Sequence, residues 1–78
     1  MLTGKRFRLT KTTFCIESVN GSRHGVEVPA GDMVKVLSGP RPDDKRMIDV
    51  LWNKRVLAMF AEDIQTRGEE VKEEATGR

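Results

Sequence analysis

The feature that most constrains this chain is its punctuation. Asn20-Gly21 is a strong two-residue hairpin signal, because both residues accept the positive φ that a type I′ turn demands. Pro29-Ala30-Gly31-Asp32 is a second turn, in which proline sets φ and glycine takes the left-handed position. Gly39-Pro40-Arg41-Pro42-Asp43-Asp44 is neither helix nor central strand and reads as a loop. Asn53-Lys54 separates two apolar runs by two residues, the spacing of a tight hairpin. Breaks that recur about every ten residues belong to a small barrel or sandwich.

Between the breaks, side chains alternate with the period of two that places them on opposite faces of a sheet. One face is expected to carry Phe7, Leu9, Phe14, Ile16, Val26, Val28, Val34, Val36, Ile48, Val50, Trp52, Val56, Ala58 and Phe60. The other face then holds Cys15 and Glu17, and also Met33, Leu37, Met47, Leu51, Leu57 and Met59. Ala61-Glu62-Asp63-Ile64 suits a single helical turn that drops Ile64 back onto the core. From Thr66 onward Val71 is the only large apolar residue, too little to offset the entropy of ordering the segment. The expected organisation is one all-β domain over residues 1–66, a five-stranded barrel, followed by a flexible acidic tail over residues 67–78.

Residues 32–65 resemble an SH3-like barrel of the broad class that includes Tudor-like and KOW-like modules. The residues that carry the resemblance are Gly31-Asp32 opening a strand, Val34 and Val36, and the loop at Gly39-Pro40. Ile48-Asp49-Val50-Leu51-Trp52, the Asn53-Lys54 turn, Val56 to Phe60 and the final turn Glu62-Asp63-Ile64 continue it. The unit from Arg6 to Arg67 is also similar to a group of short uncharacterised bacterial proteins. They share a turn like Val28-Pro29-Ala30-Gly31-Asp32, a strand like Asp49-Val50-Leu51-Trp52, and an ending like the segment from Met59 to Gly68. The resemblance implies a fold and no chemistry.

The formal charge of +2 hides an asymmetry. Residues 1–60 hold eleven Lys or Arg against six Asp or Glu, while residues 61–78 hold three against six. A basic body suits polyanions, and an acidic segment can shield it from them. Arg6, Arg8, Lys45, Arg46, Lys54 and Arg55 are the candidate polyanion-binding residues, since lysine and arginine neutralise phosphates with release of counterions. Stacking on bases needs exposed aromatic rings. All four aromatic residues, Phe7, Phe14, Trp52 and Phe60, are expected in the core. A nucleic-acid contact is therefore expected to be weak and electrostatic.

Enzyme chemistry has little to work with. Cys15 is the only cysteine and His24 the only histidine, which falls short of the four ligands of a structural zinc. The two would have to meet across the Asn20-Gly21 hairpin to form a nucleophile and base, and a buried structural cysteine is far commoner. No catalytic residue, metal or cofactor is expected. One thiol cannot form an intrachain bridge, and the basic start of the chain lacks the apolar run of a signal peptide, so a cytoplasmic protein is expected. The longest apolar stretch, Val56 to Ala61, is far below a membrane span.

The leading expectation is a non-enzymatic protein-interaction or self-associating module. Leu51, Leu57 and Met59 are its candidate contact residues: where their face is exposed it makes an apolar patch larger than a monomer tolerates, the alternative being that the N-terminal hairpin covers it. Weak electrostatic nucleic-acid binding is the alternative.

Overall fold

The computed structural model describes residues 3–72. It contains β1 (Arg6–Leu9), β2 (Thr13–Val19), β3 (Ser22–Val28), β4 (Met33–Ser38), β5 (Met47–Trp52), β6 (Arg55–Phe60), α1 (Ala61–Arg67) and β7 (Gly68–Val71). All strands pair antiparallel in one sheet of order β3-β2-β6-β5-β4-β1-β7. The all-β expectation holds, whereas the five-stranded barrel does not. The sheet has seven strands and is not closed, with β3 and β7 as its edges.

Both tight hairpins form where expected. Asn20 and Gly21 have φ of 51° and 82°, and Asn53 and Lys54 have φ of 50° and 63°. Each loop has two residues, so each fixes the pairing of everything behind it. Trp52 lies opposite Arg55, Val50 opposite Leu57 and Ile48 opposite Met59. Directly opposed residues share a face, so Leu57 and Met59 join Ile48 and Val50 in the core. By the same arithmetic Cys15 lies opposite Val26 and Thr13 opposite Val28.

This corrects the expected faces of two strands. On β6 the core residues are Leu57 and Met59, both fully buried, and not Val56, Ala58 and Phe60. On β2 they are Thr13 and Cys15, while Phe14 points outward and is 57% exposed. Elsewhere the expected inward residues are buried or half-buried: Phe7 and Leu9, Val26 and Val28, Val34 and Val36, and Ile48, Val50 and Trp52.

The chain after Phe60 is more ordered than its composition suggests. The expected turn at 61–64 extends to a helix ending at Arg67, with Ile64 fully buried beneath it. Glu62 and Asp63 lie in its first turn and Arg67 in its last, each sign matching the helix dipole. Arg67 also ties the helix to the loop before β2. Its Nη1 donates to the Thr12 carbonyl at 3.1 Å, and its own carbonyl accepts from Thr10 N–H at 2.7 Å. Residues 68–71, placed in the tail by their composition, form β7 instead. It pairs with β1, Arg8 lying opposite Glu69 and Phe7 opposite Glu70. The rest of the expected tail, residues 73–78, lies outside the described residues.

Candidate binding surface

Because the hairpin registers turn Leu57 and Met59 inward, they turn a different apolar set outward. Ile16 lies opposite Ala58, and from that pair the register runs Phe14 towards Phe60 and Ser18 towards Val56. Val56 is 54% exposed and Phe60 39%. This outer face of β2, β6 and β5 carries a depression of about 290 Å³ lined by Ile16, Met47, Ala58 and Phe60 and by the polar side chains of Ser18, Arg23, Arg41, Asp43, Asp44 and Arg46. A second depression of about 160 Å³ shares Ile16, Ser18, Arg41 and Ala58 with it and extends to Asp49 and Val56. Together they form one trough between the β2–β3 hairpin and the loop over residues 39–46.

The trough exists because β2 and β6 barely pair. Among the described residues only Ile16 and Ala58 are matched across that seam, whereas β2 pairs with β3, and β6 with β5, along their lengths. Its walls are polar and charged. Arg41 sits between two carboxylates, its Nε 3.8 Å from Asp49 Oδ1 and 4.0 Å from Asp43 Oδ1. Arg46 grips Asp44 with two hydrogen bonds, Nε to Oδ1 at 3.0 Å and Nη2 to Oδ2 at 3.1 Å. The Arg46 side-chain and backbone hydrogen bonds hold the Asp44 carboxyl below the usual carboxylate range.

The expected protein-contact residues divide. Leu51 is exposed on the outer face opposite Val56, but Leu57 and Met59 are fully buried in the core. The apolar residues that β2 and β6 turn outward are instead Phe14, Ile16, Val56, Ala58 and Phe60. Two-residue turns were the signal that could have found them, since counting back from each turn matches the faces of the two strands it joins, β2 to β3 and β6 to β5.

The expected polyanion residues do not gather. Arg6 and Arg8 lie on β1 beside the acidic strand β7, where Lys5 Nζ is 3.9 Å from Glu70 Oε1. Lys45 and Arg46 precede one end of β5, and Lys54 and Arg55 follow the other, roughly 20 Å away at strand spacing. Arg46 is held by Asp44, and Arg55 by Glu17 across two strands. Arg55 Nε and Nη2 donate to the two Glu17 oxygens at 3.0 and 2.6 Å. That bidentate bond is the main cause of a lowered Glu17 pKa. The same guanidinium lies 5.2 Å from the centre of the Trp52 ring, and Trp52 Nε1–H donates to Asp32 Oδ2 at 3.0 Å. Arg55 therefore closes one end of the core as part of a Glu17–Arg55–Trp52–Asp32 chain.

Cys15 and His24 do not form a dyad. Cys15 faces Val26 and is buried, while His24 is exposed opposite Glu17. Burial, with a smaller contribution from the Asp63 carboxylate, pushes the Cys15 thiol up to about 11. A raised thiol pKa keeps its stability contribution below the unfolded value, near 9, and loses it as pH rises towards 11. Stability is thus expected to fall by on the order of 2 kcal/mol between pH 9 and 11, a drop that Cys15→Ala removes. Urea titrations of both proteins at the two pH values check this; equal alkaline losses would contradict it. Among the described residues, no three His, Cys, Asp or Glu side chains gather to hold a metal, and no helix is long and apolar enough to cross a membrane.

No known family model, curated protein or solved structure matches this chain. Any functional reading therefore rests on its own residues.

Proposed function

We propose that this chain is a non-enzymatic binding module whose outer trough accepts an apolar segment of another protein. The observation that carries the reading is that Phe60 and Val56, both exposed, line two adjoining depressions that share Ile16 and Ala58. Exposed apolar side chains grouped on one face, rimmed by polar ones, mark interaction sites more often than scattered ones do. The walls offer both signs of charge, which suits a segment with an apolar anchor and charged flanks.

In fold, we read the chain as an open variant of the SH3-like barrel. The support is a β4-β5-β6 meander, then a short helix, then a last strand that returns beside β1. A cytoplasmic setting is part of the same reading, supported by a lone buried thiol. The polyanion alternative has weaker support, because its cations are dispersed, and Arg46 and Arg55 are held by carboxylates.

Selection of a displayed random-peptide library on the immobilised protein tests the trough. Selected peptides are expected to carry large apolar residues and to bind Ala58→Arg at least about tenfold more weakly, as loss of a buried anchor implies. Peptides that bind Ala58→Arg as well as the parent, or a selection that yields none, would remove this function.

A further inference from the structure

The outer edge of the sheet carries an inference that does not depend on the trough. Among the described residues β3 pairs with β2 alone and is one of the two sheet edges. Behind a two-residue type I′ turn, the flanking pair Val19 and Ser22 exchanges hydrogen bonds, and so does every second pair after it. Ser22, His24, Val26 and Val28 therefore aim their backbone groups at β2. Arg23, Gly25 and Glu27 aim theirs at the open edge, where they form a template for another strand.

We infer that β3 pairs antiparallel with β3 of a second copy of this chain, about a two-fold axis at Gly25. β3 has seven residues, Ser22–Val28, and Gly25 is the middle one, so this register overlaps the whole strand. It places Arg23 of each copy opposite Glu27 of the other. Three residue pairs, Arg23–Glu27, Gly25–Gly25 and Glu27–Arg23, each exchange two backbone hydrogen bonds. Both opposite-charge pairs lie on the same face as Phe14.

The alternatives are worse in charge. Sliding the strands by two residues removes both Arg–Glu pairs, and sliding by four sets Arg23 against Arg23 or Glu27 against Glu27. Self-pairing through β7 is opposed by Glu69 and Glu70, which bring carboxylates together along that edge.

Gly25 supplies a second, independent fit. The Phe14 ring lies over it so closely that a Cβ there would sit 2.6 Å from two ring atoms. Across the two-fold axis the two rings cover the adjacent glycines and meet, removing from water the most exposed large apolar side chain of the described residues. One strand pair is a small interface, below the roughly 1,200 Å² of a stable complex, so the dimer is weak and concentration-dependent.

Sedimentation equilibrium of the full chain from about 10 µM to about 1 mM, a span suited to an interface of this size, tests the inference. The parent protein is expected to dimerise within it. Arg23→Glu and Glu27→Arg are each expected to weaken self-association at least about tenfold, since each sets like charges opposite one another twice. An equimolar mixture of the two variants is expected to recover the parent's association, because the mixed pair restores both attractions. Both substitutions are at exposed positions, and far-UV circular dichroism confirms that the variants remain folded. A monomer at every concentration overturns the inference, as does a dimer insensitive to both substitutions or a mixture no better than its components. Ala58→Arg separates the two surfaces: it is expected to dimerise like the parent, and loss of dimerisation there would move self-association to the trough.

Discussion

Leu57→Ala is expected to lower the unfolding free energy by about 3 kcal/mol, and Val56→Ala, one residue away, by less than about 1. Both are aliphatic residues on the same strand, and only the register distinguishes them. Leu57 is fully buried opposite Val50, in a cluster with Ile48, Val36, Met59 and Ile64. Its truncation loses transfer free energy and leaves a cavity that close-packed neighbours fill only in part. Val56 is half exposed, so most of its surface is already in water. A domain this small has a total stability of roughly 4–10 kcal/mol, and the Leu57 loss would be a large fraction of it. Urea denaturation of the two variants decides the matter: similar losses at both positions would overturn the face assignment of β6.

Trp52→Ala is expected to cost about 2–3 kcal/mol, and Trp52→Phe about 1. The larger change removes the ring that packs against the core at its open end. It also takes away the surface on which Arg55 rests and the donor to Asp32. Phenylalanine keeps most of the apolar contact and loses the N–H bond to a carboxylate, a charge-assisted bond worth more than a neutral one. Guanidinium denaturation followed by circular dichroism measures both, because neither variant retains tryptophan fluorescence. If Trp52→Phe were as damaging as Trp52→Ala, the hydrogen bond and not the packing would be the ring's main contribution.

Much of the architecture was legible in the residues. The turns at Asn20-Gly21 and Asn53-Lys54 were, because positive φ is tolerated by few residue types. The inward set of β1, β4 and β5 was, since Arg6, Arg8, Lys35 and Asp49 mark the opposite parity as the polar one. On β2 and β6 both parities are apolar: Phe14 and Ile16 compete with Cys15, and Val56, Ala58 and Phe60 with Leu57 and Met59. Alternation cannot choose between two apolar faces, and only propagating the hairpin pairing does. The inverted faces of β2 and β6, with Leu57 and Met59 expected outward, follow from that one omission. β7 was hidden for another reason. Gly68-Glu69-Glu70-Val71 has no strand pattern of its own and is ordered by the free side of β1, a tertiary cause. The pairing of Arg55 with Glu17, thirty-eight positions apart, has no local signature either.

The single matched pair at Ile16 and Ala58 also sets how the molecule comes apart. Opening free energies within a domain range from nearly zero to the global value, following how each segment is stitched to its neighbours. The β2–β3 hairpin is anchored at its base by Thr13, Cys15 and Val28 inside the core, and beyond Ile16 it is joined to β6 mainly by the Glu17–Arg55 ion pair. Its protection against solvent exchange should therefore decline towards Asn20, in steps marked by those residues. The hairpin is in that sense a subunit of cooperativity within a single sheet. A segment bound in the trough, as proposed above, would span the seam between this unit and the rest and so couple their opening.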